Sequence, residues 1–106
     1  MYLVNITKPA ERDIREAANY IANELRNKAA AIRLLNDVTE AIYSLETMPL
    51  RYAFVYDEVL AKQGMRFFPL NNYLVFYVVR EERKVVVIER FLYGRRDWAT
   101  ILKKEG

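Results

Sequence analysis

Towards the C-terminal end, the stretch FLYGRRDWATIL sets two arginines, Arg95 and Arg96, directly after Gly94 and just before Asp97 and Trp98. Adjacent guanidinium groups at a point where the backbone turns suit anion contact. Each stays charged at physiological pH and offers a planar fork that grips phosphate or carboxylate bidentately. Arg66 and Arg90 lie in the two neighbouring β-like runs and can reach the same region. The alternative is a surface ion pair of Arg95 or Arg96 with Asp97 or Glu89, worth about 0–1 kcal/mol. The chain has no histidine and no cysteine. That excludes thiolate nucleophiles, disulfides, the usual zinc ligand sets and the most common general base. Any chemistry falls to carboxylates, Lys, Arg, Tyr or bound water, and no cofactor or metal is expected.

The elements that must position these arginines follow from the periodicity. YLVNIT is a short β-rich run. From Pro9, a residue suited to a first helical turn, the apolar positions Ala10, Ile14, Ala17, Ile21 and Leu25 recur at spacings of three and four. Asn27 is the expected N-cap of a second helix with Ala31, Leu35, Val38, Ile42 and Leu45 on its apolar stripe, stopped by Met48-Pro49. So short a link makes the two an antiparallel hairpin, with Tyr20 packing at its edge. Residues 51–63 read as loop with one helical turn in DEVLAK. MRFFPL, YLVFYVVR and KVVVIERFLY then read as three strands, joined at Asn71-Asn72 and at Glu81-Glu82-Arg83. A short helix within 97–104 closes the chain. The order predicts one α+β domain over residues 1–106, with the N-terminal strand and the helical hairpin packed on an antiparallel four-stranded sheet.

Charge is uneven along this order. Residues 1–50 hold six Lys/Arg against seven Asp/Glu and residues 51–106 hold eleven against seven, so the halves carry −1 and +4. A basic second half suits a phosphate-bearing or acidic partner. Without a basic segment leading into an apolar run, and with no apolar run near the roughly 18 residues of a membrane span, a cytoplasmic protein with no membrane contact is expected. The central strand carries an apolar surplus. Leu74, Phe76 and Val78 alternate with Tyr73, Val75, Tyr77 and Val79, so neither face is polar. One helical hairpin covers one face. The other must meet the terminal segment, another protein, or flat ligands such as bases. Tyr73 and Tyr77 read either as strand residues packing across neighbours or as stacking contacts.

The pieces MRFFPLNNYLVFYVV, KVVVIERFLYGRRDW and AERDIREAANYI resemble the RelE/ParE superfamily of toxins from bacterial type II toxin–antitoxin modules, over nearly the whole chain. The resemblance implies an α+β fold, a growth-arresting activity of the plasmid-stabilisation kind, and a cognate antitoxin protein whose extended segment covers the sheet and the active surface. Operator DNA would be reached only through that antitoxin. RelE-type members cut mRNA on the ribosome with basic residues on the central strands, an arginine on the last strand and often a terminal tyrosine. Arg96 matches the last-strand arginine, with Arg95 beside it. Leu74 stands where the central-strand arginine would be, Leu102 near the tyrosine, and Arg66 alone answers the paired lysines. Strand cleavage needs a group that takes a proton and a group that holds the charged phosphate. On this reading Arg96, Arg95, Arg66 and Tyr93 would be catalytic, with Glu81, Glu82 or Glu89 as other proton acceptors.

ParE-type members instead bind DNA gyrase and trap it on cleaved DNA with no chemistry of their own, and the hairpin and the Gly-Arg-Arg-Asp ending are closer to these. For gyrase, or for the ribosome with its mRNA, and for the antitoxin, the expected contact residues are Arg90, Arg95, Arg96, Trp98, Tyr73 and Tyr77. A sheet-based nucleic-acid-binding module using Phe68, Tyr73 and Tyr77 is a more distant reading. Its folds alternate strand and helix, whereas here two helices precede three strands.

Overall fold

Residues 1–105 are described in the computed structural model, which begins with the edge strand β1 (Leu3–Ile6). Thr7 turns the chain into α1 (Lys8–Asn19). Its Oγ1 accepts from Ala10 N at 3.1 Å and donates to the Glu89 carbonyl at 3.0 Å, so one hydroxyl caps a helix and ties it to the last strand. A π-helical turn, Tyr20–Glu24, follows. Arg26 then takes a positive φ of 52°, and Asn27 caps α2 (Lys28–Tyr43) by accepting from Ala30 N at 3.0 Å. The two helices form the expected hairpin.

A 3₁₀ turn (Ser44–Glu46) ends the hairpin, and α3 (Glu58–Lys62) is the helical turn expected in DEVLAK, capped by Asp57. Strands β2 (Arg66–Leu70), β3 (Tyr73–Arg80) and β4 (Val85–Tyr93) come next, and α4 (Trp98–Glu105) closes the chain. Asn71 and Lys84 adopt positive φ at the two hairpin turns.

The sheet order is β1-β4-β3-β2. The antiparallel expectation holds for β2, β3 and β4, while β1 pairs parallel to β4, with Leu3 opposite Val85 and Ile6 opposite Ile88. The reason is topological. β1 and β4 are joined through both helices and two other strands, so no tight turn sets their relative direction. A bulge between Phe76 and Tyr77 sets Ile88–Arg90 against two residues of β3 and re-aims the end of β4.

Both faces of the sheet are covered. Val75, Tyr77, Val86, Ile88 and Phe91 pack beneath the hairpin with Ala10, Ala17, Leu34, Val38 and Ile42. Leu74, Phe76, Val78 and Leu92 pack on the opposite side against Leu60, Met65, Trp98, Ile101 and Leu102. The alternation expected along β3 is therefore observed. Of the three possible covers for its second face, the terminal segment, aided by α3, is the one found. An expectation that an antitoxin reaches that face directly is corrected, because the chain fills it itself. Lys103 Nζ lies 2.6 Å from Asp57 Oδ2, fastening α4 to α3 and holding the Asp57 carboxyl below the usual carboxylate range.

Two stripe assignments are also corrected. Leu34 rather than Leu35 faces the core, because the buried set Ala31, Leu34, Val38, Ile42 keeps spacings of three and four throughout. Leu25 is 58% exposed. The π turn bonds Leu25 N to Tyr20 O and puts one more residue into the turn, which rotates whatever follows off the core-facing stripe.

Candidate functional site

β4 ends against the start of β3, and the turn beyond it is set by close backbone approach. Gly94 N donates to Asn72 O at 2.8 Å, and a Cβ on Gly94 would lie 3.3 Å from that same oxygen, tighter than a side chain tolerates comfortably. Arg96 N donates to Tyr93 O at 3.0 Å. Asp97 turns away from the arginines, accepting from Thr100 N and from Thr100 Oγ1 (2.8 Å) at the start of α4. Arg95 and Arg96 are exposed and take part in no ion pair among the described residues. Of the alternatives read from the sequence, the pairing with Asp97 is absent and the cationic edge is open.

Beside this turn, on the hairpin side of the sheet, are two adjoining recesses. One, of about 180 Å³, is lined by Asp13, Glu16, Ala17, Phe91 and Arg96 together with Tyr73 and Tyr93. The second, of about 550 Å³, is lined by Tyr20, Ile21, Leu25 and Asn72 with the same Tyr73 and Tyr93. Tyr73 stacks on Phe91 at 4.7 Å between centroids and meets Tyr93 edge-on at 5.9 Å. Burial raises the Tyr73 phenol above its ordinary range, and the neighbouring phenols of Tyr20 and Tyr93 add to the shift. It therefore remains a protonated donor at neutral pH. Tyr20, expected to pack at the hairpin edge, is instead 54% exposed and forms the outer wall. Its part in the recess, with those of Leu25 and Asn72, is not visible in the sequence pattern, because a π turn leaves no compositional mark.

The other residues singled out in the sequence lie elsewhere or are already engaged. Arg90 does not project to solvent: its guanidinium grips Asp13 of α1 with Nε and Nη2 (2.9 Å for the latter), and Phe91 N donates to the same carboxylate at 3.1 Å. It fastens α1 to β4 and does not join the arginine pair of the turn, though it borders the recess through Asp13. Arg66 lies in β2 across from Tyr77, whereas Arg95 and Arg96 follow Tyr93, which is across from Tyr73. Its guanidinium donates to the Tyr52 carbonyl and stacks over Phe54 at 4.1 Å. The expectation that Arg66 joins the arginine pair is thus corrected.

Tyr77 is wholly buried, its hydroxyl donating to Pro49 O at 2.9 Å, so it is a core residue and no contact surface. Burial pushes its phenol up to about 12, against an opposing effect of the Arg66 guanidinium. Trp98 is half-buried, with its ring 5.2 Å from that of Phe76, and serves mainly to cover the second face. Arg96, Tyr93 and Tyr73 are the expected site residues that the fold does bring together, with Arg95 adjacent in the turn.

Among solved structures, the chain is similar to a chromosomal ParDE toxin–antitoxin system from P. aeruginosa, with a TM-score of 0.71 at 20% identity, covering 88% of this chain and 96% of that one. It is also similar to the RelBE2 toxin–antitoxin complex from Mycobacterium tuberculosis, with a TM-score of 0.58 at 26% identity over 87% and 96% of the two chains. The isolated E. coli RelE toxin shares the fold with a TM-score of 0.56 at 14% identity, over the full length of both. No curated protein matches the sequence significantly. The family described as the ParE toxin of the type II toxin–antitoxin system, parDE, matches residues 4–98, a span from β1 through the arginine pair into α4. On that match, and in keeping with the fold, the chain belongs to the ParE toxin family of type II toxin–antitoxin systems.

Proposed function

We propose that this toxin arrests growth by binding DNA gyrase and holding it on cleaved DNA, and that it does not cut mRNA itself. One observation carries the reading. Leu74, which stands where RNA-cleaving relatives have their central-strand arginine, and Leu102, near the place of their terminal tyrosine, both pack in the apolar layer between the sheet and α4. A cleaving enzyme needs a proton acceptor and a phosphate clamp converging on one phosphodiester. Here the face that would hold them is hydrocarbon, and Arg66 is diverted to backbone carbonyls at another edge. A binding poison needs surface complementarity and no group poised to move a proton. The exposed Arg95–Arg96 turn supplies the cationic part of that surface.

The cognate partner on this reading is an acidic antitoxin. With the second sheet face closed, its apolar anchor is the cleft of about 330 Å³ between α1 and α2, lined by Ile6, Ile14, Leu35, Ile42 and Tyr43 and continuous with the edge strand β1.

Two assays on one preparation test the reading: supercoiling of relaxed plasmid by gyrase, and primer-extension mapping of mRNA on translating ribosomes. Inhibited supercoiling with intact transcripts is expected. The double variant Arg95→Ala/Arg96→Ala should lose the inhibition while keeping its circular dichroism spectrum, since exposed substitutions cost within about 0.5 kcal/mol. Transcripts cut at the ribosomal A site with gyrase untouched would reverse the assignment.

A further inference from the structure

We propose that the paired recess beside the end of β4 is a nucleotide-binding site, taking an unstacked base in its tyrosine-walled part and the attached phosphate on Arg96. The larger part has two accessible phenol rings, Tyr20 and Tyr93, the latter 42% exposed, set about a third, Tyr73, that is itself held by stacking on Phe91. A ring anchored in this way offers a flat face without a large ordering cost, which is how aromatic platforms hold bases. Asn72 and the phenol hydroxyls supply donors and acceptors at the rim for the polar edge of a base. The volume, about 550 Å³, lies within the range of small-ligand sites.

Electrostatics select an anionic ligand over a cationic one. Three tyrosines near two carboxylates would otherwise suit an ammonium group. Asp13, however, is already neutralised by the bidentate grip of Arg90. That leaves Glu16 as the one uncompensated carboxylate lining the smaller recess, against Arg96 in the recess and Arg95 beside it in the turn. A phosphate on the Arg96 side and a base on the Tyr20 side satisfy both halves, with Glu16 placed to accept from a sugar hydroxyl or an exocyclic amine.

The helix geometry points the same way. The π turn is what takes Leu25 off the core stripe and sets it in the recess with Tyr20, at the expense of burying its side chain. Such turns recur where a helix has been re-aimed for a site.

The test is the affinity of the full-length purified chain for a dye-labelled short oligodeoxythymidylate, with a duplex of equal length and free dTMP as competitors. The single strand should bind at least about tenfold tighter than the duplex, because only an unstacked base can enter. Tyr20→Ala and Tyr93→Ala should each weaken binding by about tenfold, while Tyr93→Phe, which keeps the ring and loses one rim hydroxyl, should weaken it much less. Arg96→Gln should weaken binding and flatten its salt dependence. Tyr56→Ala, remote from the recess and 86% exposed, should change nothing. Competition by dTMP would mean that one free nucleotide fills the site. Binding by the strand without such competition would mean that neighbouring phosphates are required, and either result supports the proposal.

Equal affinity for duplex and single strand, or no loss in folded Tyr20→Ala and Tyr93→Ala proteins, would overturn it in favour of plain charge attraction. So would tighter binding of a trimethyllysine peptide than of the strand. No gyrase enters this measurement, so its failure is separate from a failure of the gyrase reading.

Discussion

Tyr77 and the Asp13–Arg90 pair show how side chains that look suited to binding are used up in holding the site's frame. Tyr77 spends its hydroxyl on the Pro49 carbonyl beneath the hairpin, and Arg90 spends its fork on α1. The Tyr77 phenol also makes a test by titration. Its folded value, about 12, lies above the ordinary value of 10, so the folded state keeps its proton where the unfolded chain has lost it. Stability from this group is complete below pH 10 and is lost as pH rises through 12. Thermal denaturation followed from pH 9 upwards should fall more steeply for the native chain than for Tyr77→Phe, and the two curves should cross, because the stability lost between pH 10 and 12 exceeds the worth of one hydrogen bond. At neutral pH the Phe variant should be less stable by about 1 kcal/mol, the worth of the lost hydrogen bond. Parallel curves would separate Tyr77 from the alkaline transition.

Among the elements, α4 is the one whose role most changes the functional reading. It is short, and a helix of two turns does not persist alone in water. Its stability comes from laying Trp98, Ile101 and Leu102 on Leu74, Phe76 and Leu92, with Lys103 held on Asp57. The ion pair weakens as pH falls through the depressed Asp57 value, so the helix end should loosen in acid. Leu102→Ala removes a side chain that is 6% exposed and should cost about 2–4 kcal/mol, with dye binding to the uncovered sheet face read by fluorescence. A variant with unchanged melting temperature and no dye binding would show that α4 does not stabilise the sheet. Alongside α4, the π turn carries the other element-scale decision: it converts the end of an amphipathic hairpin into one wall of a recess.

At the scale of the molecule, the proposed partner surfaces are the basic end and the apolar cleft of the hairpin beside the open edge of β1. Leu35 and Tyr43, 40% and 44% exposed, line that cleft together and would anchor the antitoxin on the proposed reading. Expressed with its operon neighbour, the toxin should co-purify with a small acidic protein. Leu35→Glu should weaken that complex by about tenfold or more, through a charge that the cleft cannot solvate, while leaving the melting temperature of the free toxin nearly unchanged. Retention of the complex by this variant at native affinity would place the antitoxin elsewhere.

Apolar spacing and turn chemistry are local, so the order of elements is legible in the residue pattern. Pro9, the cap at Asn27, the helical turn in DEVLAK and the alternation along Tyr73–Val79 all appear where their residue types put them. The pattern also marks Arg95 and Arg96, since two charges after a glycine at a strand end have few places to go but outwards. Long-range partnerships become visible only once the chain is folded. These include the parallel pairing of β1, the closure of the second sheet face by α4, the capture of Arg90 by Asp13 some 77 residues away, and the diversion of Arg66 to backbone carbonyls. The physical reason is common to all four. A side chain's type says which contacts it can make, but which one it makes depends on what the fold brings within hydrogen-bond or van der Waals reach. Residues distant in the chain leave no periodic trace of that meeting.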